Sequence, residues 1–285
     1  MTLLPIFVFF TYNTIFIIHK HIISKKMKDK LQSYIQSLST KFIRFTKKII
    51  YYKLYNKAIV TSNNNHKVII TTPTGLNIFY VLGITAYIKE HFDLTNYIFS
   101  GVSGGAWNSL FLAFKGDDSE FIDMILNSKY HNESSSVVKM ENALTDLILN
   151  KYSQDDFELN KLNIGVSILT WFKFNLKIYT GFSSLEDAIN CCIASSHIPF
   201  ISGELLHYYQ NNWCFDGGLF TYPYVNNTPI LVIHPLLWNS SYISTNFIDE
   251  ILQMTTLKLD VTELYIQGYN DTKKNHDHLH RLKRK

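Results

Sequence analysis

YIFSGVSGGAWNSLFLAF, residues Tyr97–Phe114, decides the fold. Its first six residues are apolar or small and rich in strand formers, the glycines and Ser103 break the run, and Gly104–Phe114 is again apolar and long enough for a buried helix. The segment therefore reads as strand, sharp turn, helix. Upstream the pattern is repeated. Lys67–Thr72 is a short β-branched strand, Pro73–Gly75 a turn, and Leu76–His91 a long apolar helix. Strands alternating with helices predict an α/β fold, a three-layer arrangement in which a mostly parallel central sheet is flanked by helices.

Working outward, Phe121–Leu126 and Val137–Leu149 read as helices outside the alternation, an insertion or cap. Ile164–Thr170 and Asn175–Thr180 read as strands, and as a pair. Ser183, followed three residues later by Glu186, has the spacing of a capping box and opens a helix to about Ser195. Pro229–Ile233 is a further buried strand and Phe247–Leu257 a helix. The charged stretch Lys273–Lys285 reads as a frayed tail. The organisation expected is an N-terminal extension over 1–60, an α/β domain over 67–234, and a C-terminal helix with basic tail over 235–285.

Composition narrows the class. With 46% apolar and 18% charged residues the chain buries a substantial core and is not a disordered protein. Its net charge of +4 is uneven: eleven Lys or Arg stand against the single acid Asp29 between Lys20 and Lys57. Such a local excess argues for a surface rather than for nucleic acid as partner. It follows the apolar, uncharged run Leu3–Ile18, and Leu31–Ala58 carries an amphipathic helical pattern. The two stretches together read as a membrane anchor, as a lipid-surface segment, or as an extension packed on the domain, and the apolar run alone also as a cleaved signal. An inserted run with this basic flank keeps the following domain cytoplasmic. Cys191, Cys192 and Cys214 form no disulfide framework, which favours a reducing compartment. No metal-ligand spacing and no cofactor motif occurs.

The chemistry lies in two motifs. Gly101-Val102-Ser103-Gly104-Gly105 fits Gly-x-Ser-x-Gly at a strand-to-helix turn, where small residues hold a serine clear of the sheet and the helix N-terminus faces a developing oxyanion. Without a partner base the same motif is only a glycine-rich turn. Asp216-Gly217-Gly218, a lone acid in an apolar stretch, supplies a desolvated carboxylate suited to general-base work. Asp-Gly is equally a common turn pair.

Taken with Ala194-Ser195-Ser196-His197-Ile198-Pro199 between them, the two motifs resemble the patatin-like phospholipase family over Lys67–His234. The resemblance implies a Ser103–Asp216 dyad that hydrolyses fatty-acyl esters of glycerolipids or phospholipids through an acyl-enzyme, without a metal or cofactor, at a membrane surface. It also implies an oxyanion loop at Thr74, Gly75 and Leu76, with Gly83 matching a later family glycine. Only Gly75 remains of the family's triple glycine, and Pro73 has no N–H to donate. Two alternatives follow: a weak or inactive relative that binds lipid, and a Ser103, Asp216, His234 triad in the chain order of α/β-hydrolases.

Overall fold

The computed structural model describes residues 67–127, 136–170, 173–199, 201–219, 229–238 and 259–285. The apolar and basic stretches before residue 60, the loop over 62–66 and the helix expected at 247–257 lie outside the described residues. The described residues belong to one compact unit.

The opening alternation is present. Strand β1 (Lys67–Thr71) leads through a single 3-10 turn, Gly75–Asn77, into helix α1 (Ile78–His91); β2 (Tyr97–Val102) leads through Ser103 into α2 (Gly104–Ala113). Helix α3 (Asp118–Leu126) is capped by Asp117, whose carboxylate accepts from the Ser119 and Glu120 N–H groups, and α4 (Val137–Lys151) by Ser136. Then follow β3 (Leu162–Thr170), β4 (Lys173–Thr180), α5 (Leu185–Ser196), β5 (His207–Tyr209), β6 (Asn212–Phe215), β7 (Leu231–Ile233) and α6 (Val261–Lys274). The α5 cap is Ser184 rather than Ser183: its hydroxyl accepts from the Asp187 N–H, one residue on from the predicted box.

The fold is α/β, with seven strands and six helices among the described residues. Its sheet is mixed, a correction to the mostly parallel sheet expected. The pairs β1–β2, β1–β7 and β2–β3 are parallel, whereas β3–β4, β3–β6 and β5–β6 are antiparallel. The reason is connection length. Two residues separate β3 from β4 and β5 from β6, too few for a parallel crossover. Gln210 and Asn211 in the second of these turns both take positive φ, 43° and 60°, the geometry of a tight hairpin.

Strand alternation divides the core. Ile69, Tyr97 and Phe99 face one way, with Tyr80, Val81 and Ile84 of α1, while Val68, Ile70 and Val102 form a separate cluster on the opposite face. Both faces at the sheet's centre are buried. The largest cluster joins Leu162, Ile164 and Val166 of β3 to α2, α3 and α5.

The C-terminal stretch is not frayed, and this overturns the tail reading. Helix α6 lies along α1, where a Cβ on Gly268 would overlap the Tyr80 carbonyl and one on Gly83 the Tyr265 carbonyl. The two glycines let the backbones touch. Beyond α6, Leu279 and Leu282 are buried, and backbone bonds tie Lys283 to Asp93 and Lys285 to His91. Buried leucines and main-chain pairing outweigh the surface charge that had suggested disorder.

Candidate active site

Strand β3 brings Ser103 and Asp216 together. Along one edge it pairs first with β2, parallel and ending at Val102 opposite Gly165, and then with β6, antiparallel and ending at Phe215 opposite Ser167. The two strands thus run toward each other on one edge and stop two residues apart in its register. The next residue of each is Ser103 and Asp216, 113 positions apart in sequence.

Ser103 Oγ donates to Asp216 Oδ2 at 2.6 Å. Both residues are buried, at 5% and 6% exposure. Ser103 holds φ 57° and ψ −135°, a conformation that an L-residue adopts at a cost of about 1–3 kcal/mol. Its surroundings hold it there. The Ser103 N–H donates to Ser195 Oγ at 2.8 Å, Ser195 Oγ donates to the Gly165 carbonyl at 2.6 Å, and the Ser103 carbonyl accepts from the Ala106 N–H at 2.8 Å.

Asp216 is fixed on four sides. Its Oδ1 accepts from the Gly218 N–H at 2.6 Å, its carbonyl from Ser167 Oγ at 2.9 Å, and its own N–H donates to the His197 carbonyl at 2.8 Å. No cation neutralises it among its described partners. Burial is the dominant influence and pushes the carboxyl from 3.8 up to about 6, against the opposing pull of the Ser103 and Gly218 hydrogen bonds. At neutral pH it is ionised yet poorly solvated, a competent proton acceptor for the hydroxyl beside it.

The motif glycines are places of close approach. A Cβ on Gly105 would overlap the Thr71 and Thr72 carbonyls, so α2 starts against the end of β1. Gly101 is pressed on Ser109 and the Gly105 carbonyl, Gly104 on the Thr74 hydroxyl, Gly217 on the Gly165 carbonyl, and Gly218 on the Pro73 ring.

Beside Ser103 opens a cavity of about 100 Å³, lined by Gly75, Leu76, Ser103 and Gly104 together with Phe79, Phe111, Ile125, Leu144 and Ile148. The N–H groups of Gly75, Leu76 and Gly104 belong to the first turns of their helices, where no intrahelical acceptor exists. Free N–H groups and the positive end of a helix are the donors that a negative oxygen accepts from. Gly75, at φ 55°, makes the turn that a glycine is needed for. Thr74 is not among the described lining residues; its hydroxyl donates to the Gly75 carbonyl at 3.2 Å.

His234 follows β7, which pairs with the far side of β1. Two strand spacings, roughly 10 Å, therefore separate that strand from β2. Burial lowers its pKa to about 4. Asp216 itself occupies the place at Ser103 Oγ that a triad gives to histidine.

Three participants carry no role that the sequence motifs assign. Ser195 and Ser167 are buried hydroxyls that bind the dyad's backbone. Glu141 of α4 lines the cavity at 8% exposure. A signal existed for Glu141, since it falls on the stripe Val137, Glu141, Leu144, Ile148 that the helix turns inward. Among the described residues no group of His, Cys, Asp and Glu is placed to hold a metal ion, and no helix is long and apolar enough to cross a membrane. The three cysteines are buried thiols. No protein-family model matches the chain, and no curated protein matches it in sequence.

Proposed function

We propose that this protein is a serine acyl-ester hydrolase with a Ser103–Asp216 dyad, of the patatin-like type that its motifs resemble, acting on fatty-acyl esters of glycerolipids or phospholipids. The observation that carries the reading is the 2.6 Å bond from the Ser103 hydroxyl to a buried carboxylate, in the wall of an apolar cavity. Asp216 accepts the Ser103 proton as Oγ attacks the ester carbonyl carbon. The resulting oxyanion faces the N–H groups of Gly75, Leu76 and Gly104. Collapse breaks the ester C–O bond, and the departing alcohol takes the proton from Asp216. Water then loses a proton to Asp216 as it attacks the acyl-enzyme, and Ser103 leaves with that proton as the fatty acid is released. The apolar cavity suits the acyl chain and excludes competing water. Lipid-surface attachment through the apolar and basic N-terminal stretch, with this domain on the cytoplasmic side, belongs to the same proposal and rests on sequence pattern.

A second reading, a lipid binder without turnover, is favoured by one observation: Pro73 replaces a potential donor with a ring, so the oxyanion site has fewer N–H groups than a triple-glycine loop. One lost donor of this kind lowers kcat about 10²- to 10³-fold. Labelling by a fluorophosphonate probe separates the two. Wild type is expected to label, Ser103→Ala not at all, and Asp216→Asn much more slowly; absence of labelling in a folded wild type favours the binder.

A further inference from the structure

Glu141 is the only ionisable side chain among the described residues lining the cavity. Its Oε1 lies 2.7 Å from Ser196 Oγ, which also receives the Trp107 indole N–H at 3.2 Å and sits 2.9 Å from the Cys192 carbonyl. A serine hydroxyl has one proton, and the Cys192 carbonyl can only accept. All three contacts are satisfied together when Ser196 donates to Cys192 and Glu141, carrying a proton, donates to Ser196. Burial raises Glu141 from 4.5 to about 8 against the opposing pull of the Ser196 hydrogen bond, with a smaller push from the like charge of Asp216, and so supports the neutral form. The proton on Oε1 is thus engaged with Ser196. Oε2 is left as an acceptor in a cavity wall that is otherwise almost wholly hydrocarbon, and no described residue bonds to it.

We propose that Glu141 makes the cavity selective for acyl chains bearing a hydroxyl group, whose O–H is accepted by Glu141 Oε2. The inference rests on the reading of the cavity as an acyl pocket. A plain chain strips water from Oε2 and returns nothing, whereas a hydroxylated chain replaces the lost bond. Leaving a buried acceptor unpaired translates into about 5- to 100-fold in affinity. An oxo group, which only accepts, gains nothing.

The test uses the full chain as Ser103→Ala, so that esters bind without turnover, and measures by calorimetry the affinities of methyl decanoate, its monohydroxy isomers and an oxo analogue. One hydroxy isomer is expected to bind about 5- to 100-fold more tightly than the plain ester. Adding Glu141→Leu is expected to abolish that preference while plain-ester binding persists. Glu141→Gln, whose amide N–H serves Ser196 and whose carbonyl takes the place of Oε2, keeps the preference and guards against misfolding of the leucine variant. Equal affinity for all isomers, an oxo ester that gains as much, or a preference that survives Glu141→Leu overturns the proposal. Turnover is measured separately on wild type. Selective binding without hydrolysis keeps this inference and sinks the hydrolase; hydrolysis without selectivity does the reverse.

Discussion

Replacing Asp216 by asparagine should destroy activity and stabilise the fold at once. Asparagine has the same shape: its Oδ1 can accept from the Gly218 N–H and its amide can donate to Ser103 Oγ, so the local bonding survives. What disappears is a carboxylate that the fold holds at about 6 instead of 3.8. Its pKa is raised in the folded state, so its contribution to stability is greatest below about pH 4. It is lost as pH rises through 6, because the unfolded chain releases that proton first. Roughly two units at 1.36 kcal/mol each give about 3 kcal/mol lost above pH 6. Asp216→Asn escapes that loss. Urea unfolding of both proteins from pH 3.5 to pH 8 should therefore show the variant gaining about 3 kcal/mol on wild type across the range, with the change complete by pH 7. Over the same range the wild-type kcat/KM should rise through about pH 6, since only ionised Asp216 can take the Ser103 proton. The variant should fall about 10²- to 10⁴-fold below it. A stability difference that does not change with pH would refute the claim that Asp216 is strained by desolvation. Retained activity in a folded variant would refute its role as base.

Ser195→Ala removes the acceptor of the Ser103 N–H and the donor to the Gly165 carbonyl; we expect about 1–3 kcal/mol of destabilisation for each buried group left unpaired, with kcat falling more than KM changes, read from melts and steady-state kinetics. Gly105→Ala places a methyl against the Thr71 and Thr72 carbonyls, neither of which can rotate away, and should cost at least about 1–3 kcal/mol and abolish probe labelling together with the fold at Ser103. Glu141→Gln should leave stability little changed near pH 4.5 and exceed wild type by an amount growing up to pH 8, on the order of 4–5 kcal/mol, in the same urea series. A flat difference would mean that Glu141 is ionised in the folded protein at neutral pH.

The parts of the site legible in the sequence share one property: their signal is local. Ser103 lies at a strand-to-helix turn whose two arms are both continuously apolar, and Asp216 interrupts an apolar run beside two glycines. Each could be singled out without knowing what lay across from it. Their pairing is expected from the family resemblance alone and not from local pattern, because it depends on β6, a strand of four residues, stopping head-on against β2 along β3. Strands so short carry too few positions for an alternation to register. Helix α6, which follows the C-terminal helix expected at 247–257, is hidden in the sequence for a different reason. Val261, Leu264, Tyr265, Gly268, Tyr269 and Thr272 repeat every three or four residues, but a glycine and a threonine stand where a larger apolar side chain is expected. Those small residues are what let α6 meet α1 at Tyr80 and Gly83.

Glu141 combines the two cases and says most about the chemistry. As a carboxyl group on the inward stripe of α4 it contradicts the helix's own pattern, and such a contradiction is stable only where a partner offsets the burial. Ser196, which bonds it, is the next residue along α5 from Ser195, which bonds the nucleophile's backbone. Successive residues on a helix point about 100° apart, so these two serines turn one end of α5 toward both the dyad and the cavity wall. A chain that shifts Glu141 is therefore coupled to the Ser103 turn through a single rigid element. On this arrangement, Ser196→Ala in the Ser103→Ala background should let the oxo analogue gain affinity over plain methyl decanoate, by freeing the Glu141 proton to rotate toward Oε2 and donate to the oxo oxygen, and in an otherwise wild-type chain should not alter the pH at which kcat/KM rises. A shift of that pH midpoint in Ser196→Ala would show instead that Ser196 acts on Asp216, and the coupling would have to run through charge rather than through the helix.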